Sequence, residues 1–178
     1  MTWGIEWVSW GDSGGRWEKV VGAEGGLELL TGSFPRNLDN KYRFALPKPI
    51  RDVLGEAQCT VLYMAPGTDG SLVLYTEQSF LKLGEQLEQG SPTAQDTRAF
   101  GRLFYAQAHR VEIDSHGRVR IPAHLGSLLP PGKEIMLIGV RDHMEIWERS
   151  QWEAYLSEKQ PFYDDIAERA FRAPKPPQ

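Results

Sequence analysis

VEIDSHGRVRIPAHLGSLL, Val111 to Leu129, decides the fold, because NLDNKYRFALPKPIRDVL, Asn37 to Leu54, repeats its pattern. A shift of 75 residues sets Asp114 on Asp39, Arg118 on Arg43 and Pro122 on Pro47. The same shift sets Leu125 on Ile50 and Leu129 on Leu54. Both copies read apolar–Asp–x–x–x–Arg–x–x–x–Pro, followed by apolar residues at helical spacing. A single Asp-x-x-x-Arg would mean little. Its recurrence inside a matching apolar frame is an internal repeat, and a repeat outranks other signals in assigning a fold.

The second copy shows the local physics. Val111 and Ile113 alternate with polar residues, as do Val119 and Ile121, which predicts two half-buried strands forming a hairpin. Between them stands Asp114-Ser115-His116-Gly117. An aspartate starts turns by accepting backbone N–H bonds, and Gly117 supplies a positive φ at the end of the loop. Arg118 then leaves the turn opposite Asp114. Pro122 has no N–H for a ladder and ends the pairing. It also suits the first turn of a helix whose stripe is Leu125, Leu128 and Leu129.

Each copy continues in the same order. In the second, Ile135 to Val140 and Met144 to Glu148 read as strands around an Arg141-Asp142-His143 turn. Ser150 and Glu153 have the spacing of a capping box, before a stripe of Trp152, Tyr155 and Leu156. In the first, Thr60 to Ala65 and Leu72 to Thr76 read as strands, with Phe80, Leu83 and Leu87 on a helix. Tyr75 matches Trp147 at a shift of 72, which predicts a longer turn in the first copy.

These motifs resemble the MraZ family. The residues that carry the resemblance are the doubled Leu/Ile-Asp-x-x-x-Arg-x-x-x-Pro, Arg102-Leu103-Phe104, the run Glu112 to Pro122, and Glu145-Ile146-Trp147. It extends from about Leu30 to about Glu158. The family consists of bacterial transcription regulators of the division and cell-wall gene cluster. The fold this implies is mainly β with short helices (α+β), a duplicated barrel of interlocked swapped hairpins related to AbrB-type DNA-binding proteins. The chain departs from the pattern in two places. Tyr42 stands where the first motif usually has glycine, and residues 1–30 precede the resemblance. A non-glycine residue forced left-handed costs about 1–2 kcal/mol, so the first turn is expected to be built differently from the second.

The resemblance divides the chain into an extension (1–30), a first repeat (31–90), a connecting helix (91–106), a second repeat (107–158) and a tail (159–178). The extension is glycine-rich and carries Trp3, Trp7, Trp10 and Trp17. It has neither the basic nor the apolar region of a signal peptide. It reads as an arm, free or docking its aromatics on a neighbour. Gly90-Ser91-Pro92 breaks the chain, Thr93 suits the cap of the connecting helix, and Phe100, Leu103 and Phe104 form its core stripe. The tail closes with Pro174-Lys175-Pro176-Pro177 after one amphipathic turn near Ile166 and Phe171.

Composition bounds the rest. The 178 residues, 40% of them apolar, suit one domain or two small interlocked halves. The one cysteine, Cys59, excludes an internal disulfide and an all-cysteine zinc site, and it reads as core. No apolar run reaches the roughly 18 residues of a membrane span, so a cytosolic protein is expected. The net charge of −4 argues weakly against nucleic acid, but it is unevenly spread. Residues 1–30 carry −3, whereas Arg36 to Arg51 carries +4. A local cluster matters more to a phosphate than the global sum.

Three chemistries compete for the repeated motif. Asp39 and Asp114 are equivalent carboxylates, as in a two-aspartate hydrolase whose pair shares a proton. Such a pair needs an apolar frame, and here polar turn residues follow each aspartate. Each Asp/Arg pair could instead merely brace its own turn in a scaffold that binds nothing. Such an exposed pair is worth about 0–1 kcal/mol. In the third reading each aspartate orients its arginine toward DNA, where arginine makes two hydrogen bonds to guanine. His109, His116, His124 and His143 lack metal-ligand spacing, and no Ser-His-Asp set or phosphate-binding glycine loop stands out.

The resemblance favours the third reading. It implies Arg43 and Arg118 as DNA readers, Lys41 and His116 as turn contacts, and Asp39 and Asp114 as orienting carboxylates; the local basic cluster adds Arg51 as a phosphate contact, and turn chemistry makes Gly117 the turn glycine. It implies no cofactor and no catalysis. It also implies a nucleoid-associated ring of identical subunits that binds short direct repeats of double-stranded DNA upstream of its own operon. The interface was expected among apolar residues left exposed by one subunit, with the aromatic region of Trp147 and Trp152 as a candidate.

Overall fold

The computed structural model of the chain describes residues 29–89, 95–129 and 134–172. The readings of the arm with Trp3 to Trp17, of Thr93 and of the closing prolines lie outside the described residues.

The first repeat runs β1 (Leu30–Asn37), β2 (Arg43–Ala45), α1 (Lys48–Glu56), β3 (Val61–Pro66), β4 (Leu72–Thr76) and α2 (Glu77–Gln89). Helix α3 (Gln95–Gln107) leads to the second repeat. That repeat holds β5 (His109–Glu112), β6 (Arg118–Arg120), β7 (Glu134–Arg141), β8 (His143–Glu148) and α4 (Arg149–Lys159), and α5 (Tyr163–Phe171) follows. The class is the expected α+β.

Two antiparallel sheets share one core. The larger has the order β1-β7-β8-β4-β3-β5, and the smaller is the ribbon β2-β6. Exchanging the repeats reverses the larger order onto itself. Its pairing is symmetric about Val73 and Glu145, and the ribbon is symmetric about Phe44 and Val119. Phe44, Val119, Leu62, Met64, Leu74, Leu137 and Ile146 are all buried in one cluster between the two sheets. Burying side chains of this size contributes about 1.5–3 kcal/mol each.

The hairpin predicted for Val111–Ile121 does not form as a ladder. Its first rung is present: Asp114 N–H donates to Arg118 O at 2.9 Å. Beyond the turn the strands part. Ile113 N–H donates to Thr60 O and Ile121 N–H to Tyr42 O, so β5 joins β3 and β6 joins β2. Strand β1 likewise pairs with β7 across the repeats, whereas β3–β4 and β7–β8 pair within one repeat. Period-two alternation identifies the face a strand buries, but not its partner.

Other expectations also change. No α-helix follows Pro122; Gly126–Leu128 is a single 3-10 turn, with Leu125 and Leu129 buried and Leu128 exposed. Gly126 stands where α1 has Arg51, and glycine weakens a helix by about 1 kcal/mol. Pro130 then disfavours helical backbone at Leu129, which is extended. Ser150 does not cap α4, which begins at Arg149 after an uncapped Glu148. Glu153 accepts from Arg149 Nε at 2.8 Å instead. Of the expected α3 stripe only Phe104 is buried, with Ala65 and Val73 on the outer face of the sheet. Phe100 and Leu103 are 45% and 65% exposed. Trp147 is buried and packs at a tilt against Trp152 and Tyr155 to fasten α4, so it is not a free interface residue. The extra residues of the first copy are divided, two before β3 and one in the β3–β4 turn. The amphipathic turn near Ile166 is the helix α5, with Phe171 exposed at its end.

Candidate nucleic-acid interface

The two motif turns sit at opposite ends of the ribbon. Turn one, Asp39 to Tyr42, enters β2 at the end where Arg43 faces Arg120. Turn two, Asp114 to Gly117, enters β6 where Arg118 faces Ala45. Each turn closes on itself. Tyr42 N–H donates to Asp39 O at 2.9 Å and Gly117 N–H to Asp114 O at 2.8 Å.

The aspartates bind in matching ways. Asp39 Oδ1 accepts the N–H groups of Lys41 (2.8 Å) and Arg43 (2.9 Å). Its Oδ2 accepts from the Arg43 guanidinium at Nε, 2.9 Å, and lies 2.8 Å from the terminal nitrogen Nη2. Asp114 Oδ1 accepts from His116 N–H (2.8 Å) and Arg118 N–H (3.0 Å), and Oδ2 from Arg118 Nε (2.8 Å). The hydrogen bond from the Arg43 side chain, with that from its backbone, lowers the Asp39 pKa to about 2. The Arg118 backbone N–H, with help from His116 N–H and the Arg118 guanidinium, lowers Asp114 likewise to about 2. Both carboxylates are therefore ionised, each held by its own turn. This is the reverse of a proton-sharing pair, so a two-aspartate hydrolase has no site here.

Tyr42 resolves the first departure. Its φ of 58° is left-handed, like the 71° of Gly117, so the two turns are built alike. The expected difference lies in what covers them. A Cβ on Gly126 would sit 2.7 Å from Tyr42 Cε1, so the Tyr42 ring occupies the space that Gly126 leaves. At the other end a Cβ on Gly117 would sit 2.5 Å from Arg51 Cδ. Positions 42 and 117 are equivalent, as are 51 and 126. Large meets small at both ends, with the sizes exchanged. Arg51 therefore belongs to turn two, although its place in the chain is in the first repeat.

The ribbon has two faces. Phe44 and Val119 point into the core, 1% and 0% exposed. Arg43, Arg118 and Arg120 share the outward face with Ala45. Arg36 at the end of β1 donates from Nε to Ala45 O at 3.0 Å. Lys41 and His116 are exposed at the turn tips. Like charges directly opposite in a sheet are unfavourable, yet Arg43 faces Arg120. The Asp39 carboxylate offsets the charge of Arg43. Arg120 lies outside the repeated motif. The alternation Arg118-Val119-Arg120 carried the signal, since it puts both arginines on one face.

The histidines do not form a metal site. The rings of His109 and His124 are 5.6 Å apart, and His143 lies between Asp142 and Glu145. Among the described residues no group of three or more histidine, cysteine or carboxylate side chains could hold a metal ion. No helix among them is long and apolar enough to cross a membrane.

Comparison with known proteins agrees with the motif. The family model described as "MraZ protein, putative antitoxin-like" matches residues 104–173. The protein named Transcriptional regulator MraZ from Finegoldia magna is 37% identical over 140 residues, 79% of this chain and 95% of the relative. Those of the same name from Heliobacterium modesticaldum and Alkaliphilus oremlandii are 33% and 36% identical over 141 residues, 79% of this chain and 96% of each relative. Two full-length motif turns, a swapped-strand core and these relatives lead to one assignment: the chain belongs to the MraZ family of transcriptional regulators, which are not enzymes.

Proposed function

We propose that the protein is a sequence-specific DNA-binding regulator that controls its own division and cell-wall gene cluster. It lays the ribbon and its two turns in the major groove at short direct repeats upstream of that cluster. The observation that carries this reading is the outward arginine face, with Arg43 and Arg118 each held by a carboxylate at one side of the guanidinium. The pinned fork keeps its remaining donors for the groove, where two parallel bonds to guanine O6 and N7 discriminate by about 1–3 kcal/mol. Lys41 and His116 contact phosphates beside the readers, Arg51 is a further DNA contact, and Asp39 and Asp114 orient the readers. Neutralising phosphates releases counterions, so affinity falls steeply with salt.

Two turns on one subunit are few for a specific site when each base pair is worth about 1–3 kcal/mol. Direct repeats are related by translation, and a head-to-tail interface that closes on itself presents identical ribbons in one sense. The working unit in this reading is a ring in the cytoplasm, associated with the nucleoid, part of whose rim follows the DNA. Linked weak sites then multiply affinity. The test is a mobility shift with the DNA upstream of its own gene, with sedimentation at the same concentration. Arg118→Ala is expected to weaken specific binding by about 1–3 kcal/mol per reading site. A folded Arg118→Ala protein with unchanged affinity would overturn the reader assignment, and a monomer that binds direct repeats tightly would overturn the ring.

A further inference from the structure

Duplication alone would make the two turns equal. Their backbones are: the same hydrogen bonds, left-handed closing residues and aspartate–arginine pairs occur at both ends. A subunit with such a symmetric ribbon would bind a site in either direction. The side chains of the turns differ at Asn40/Ser115, Lys41/His116 and Tyr42/Gly117, and two arginines around them have no equivalent in the other repeat. Turn one has Arg120 across the ribbon from Arg43, where turn two has Ala45 across from Arg118. Turn two has Arg51 lying along Gly117, where turn one has Gly126 beneath Tyr42. Each turn thus receives one additional arginine from the opposite repeat, from non-equivalent positions.

Resting on the DNA-binding reading above, we infer that Arg120 and Arg51 are additional base-reading residues that make the two turns read unlike steps and give the subunit a direction on DNA. Among the described residues neither arginine forms an ion pair. Arg120 is exposed on the same face as the pinned Arg43. Arg43 and Arg120 are directly opposite on the two strands, so one rung of the ribbon carries two arginines on its outward face. Arg51 lies over the turn glycine, with Cδ and the guanidinium nitrogens Nη1 and Nε nearest to it, so its guanidinium sits on turn two. The additional arginine of turn one is thus opposite its reader across the ribbon, and that of turn two lies on the turn itself. Lysine could supply charge at either place, but only arginine has the planar fork that recognises guanine with two bonds. A directional subunit matches sites repeated head to tail, because each copy must then lie in the same sense.

The experiment selects a pool of random-sequence DNA duplexes on the full-length protein and on Arg120→Ala, Arg120→Lys, Arg51→Ala, Arg51→Lys and Arg118→Ala. Circular dichroism and sedimentation confirm that each variant is folded and assembled. The wild-type motif is expected to be non-palindromic. Arg120→Ala should relax one part of it and Arg51→Ala a different part, each by about 5- to 150-fold in base discrimination. The lysine variants should keep most of the affinity and lose the same discrimination. A palindromic wild-type motif would overturn the inference, as would alanine variants that weaken all sequences uniformly or none. If Arg118→Ala loses specificity while those two variants keep it, the DNA-binding reading stands and this inference fails. If Arg118→Ala also selects the wild-type motif with wild-type affinity, both fail.

Discussion

Adding one methyl group at Gly126 should have opposite effects in two backgrounds. The three atoms nearest a Cβ at this position all belong to the Tyr42 ring: Cε1 at 2.7 Å, Cδ1 at 3.0 Å and Cζ at 3.3 Å. Carbon atoms pack at about 3.5–4.0 Å, so the ring must retreat by roughly 1 Å. Overpacking of this kind costs about 1–3 kcal/mol. Against it, replacing glycine by alanine in allowed backbone stabilises by about 0.4–1 kcal/mol through the unfolded chain. Gly126→Ala alone should therefore destabilise by about 0.5–2 kcal/mol. Tyr42→Gly should be close to neutral, because it relieves a left-handed side chain, about 1–2 kcal/mol, and gives up the packing of the ring. In the Tyr42→Gly background the obstruction is gone, and Gly126→Ala should stabilise by about 0.4–1 kcal/mol. Urea unfolding followed by far-ultraviolet circular dichroism, at one fixed protein concentration, measures all four proteins. If Gly126→Ala has the same sign in both backgrounds, the ring does not occupy the glycine's space and the account of the two turns is wrong.

Three further outcomes are expected. Phe44→Ala, at the centre of the ribbon and almost fully buried, should cost about 3–5 kcal/mol in urea unfolding, more than any outward ribbon substitution. The carboxyls of Asp39 and Asp114 have folded values of about 2 against an ordinary 3.8; their stabilisation is complete above the ordinary value and is lost as pH falls through the folded one. Asp39→Asn plus Asp114→Asn should flatten that acid limb in an unfolding series between those values, and an unchanged limb would refute the assignment. For His143, burial of the ring opposes its charge, and the carboxylates of Glu145 and Asp142 outweigh burial and raise its pKa. Its stabilisation is therefore present below the ordinary 6.5 and lost as pH rises through the raised value. His143→Gln should remove that decline, which thermal unfolding on both sides of neutrality would detect.

The doubled motif in the sequence is enough to locate both turns, both arginines beside their aspartates and the buried side of the strand at Val119. Those features are local: an aspartate bonds residues two and four places on, and alternation assigns a face. What could not be read was non-local. The hairpin around Asp114 looked self-paired because nothing in Val111 to Ile121 names β3 and β2 as partners. Strand β1 was missed, since Gly32 and Pro35 obscure its alternation. Tyr42 seemed to demand a different turn, because its left-handed cost is visible locally and Gly126 lies in the other repeat. Arg51 lies over turn two, which its place in the chain after turn one does not reveal, for the same reason. Arg120 was within reach of the alternation argument but was passed over, being outside the repeated motif.

The interlocked pairing also governs how the chain is made. Leu30 in β1 meets Arg141 in β7, and Val61 in β3 meets Glu112 in β5. On the ribosome, the first repeat therefore emerges with strand edges that have no partners until most of the second has been synthesised. Folding must wait for these distant segments, and pairings of high sequence separation form slowly. During that interval the nearest substitute for a missing second repeat is the equivalent part of another nascent chain. A premature stop between the repeats would thus release a fragment primed to exchange strands with its own copies, which is also the arrangement from which such a duplicated gene could have arisen.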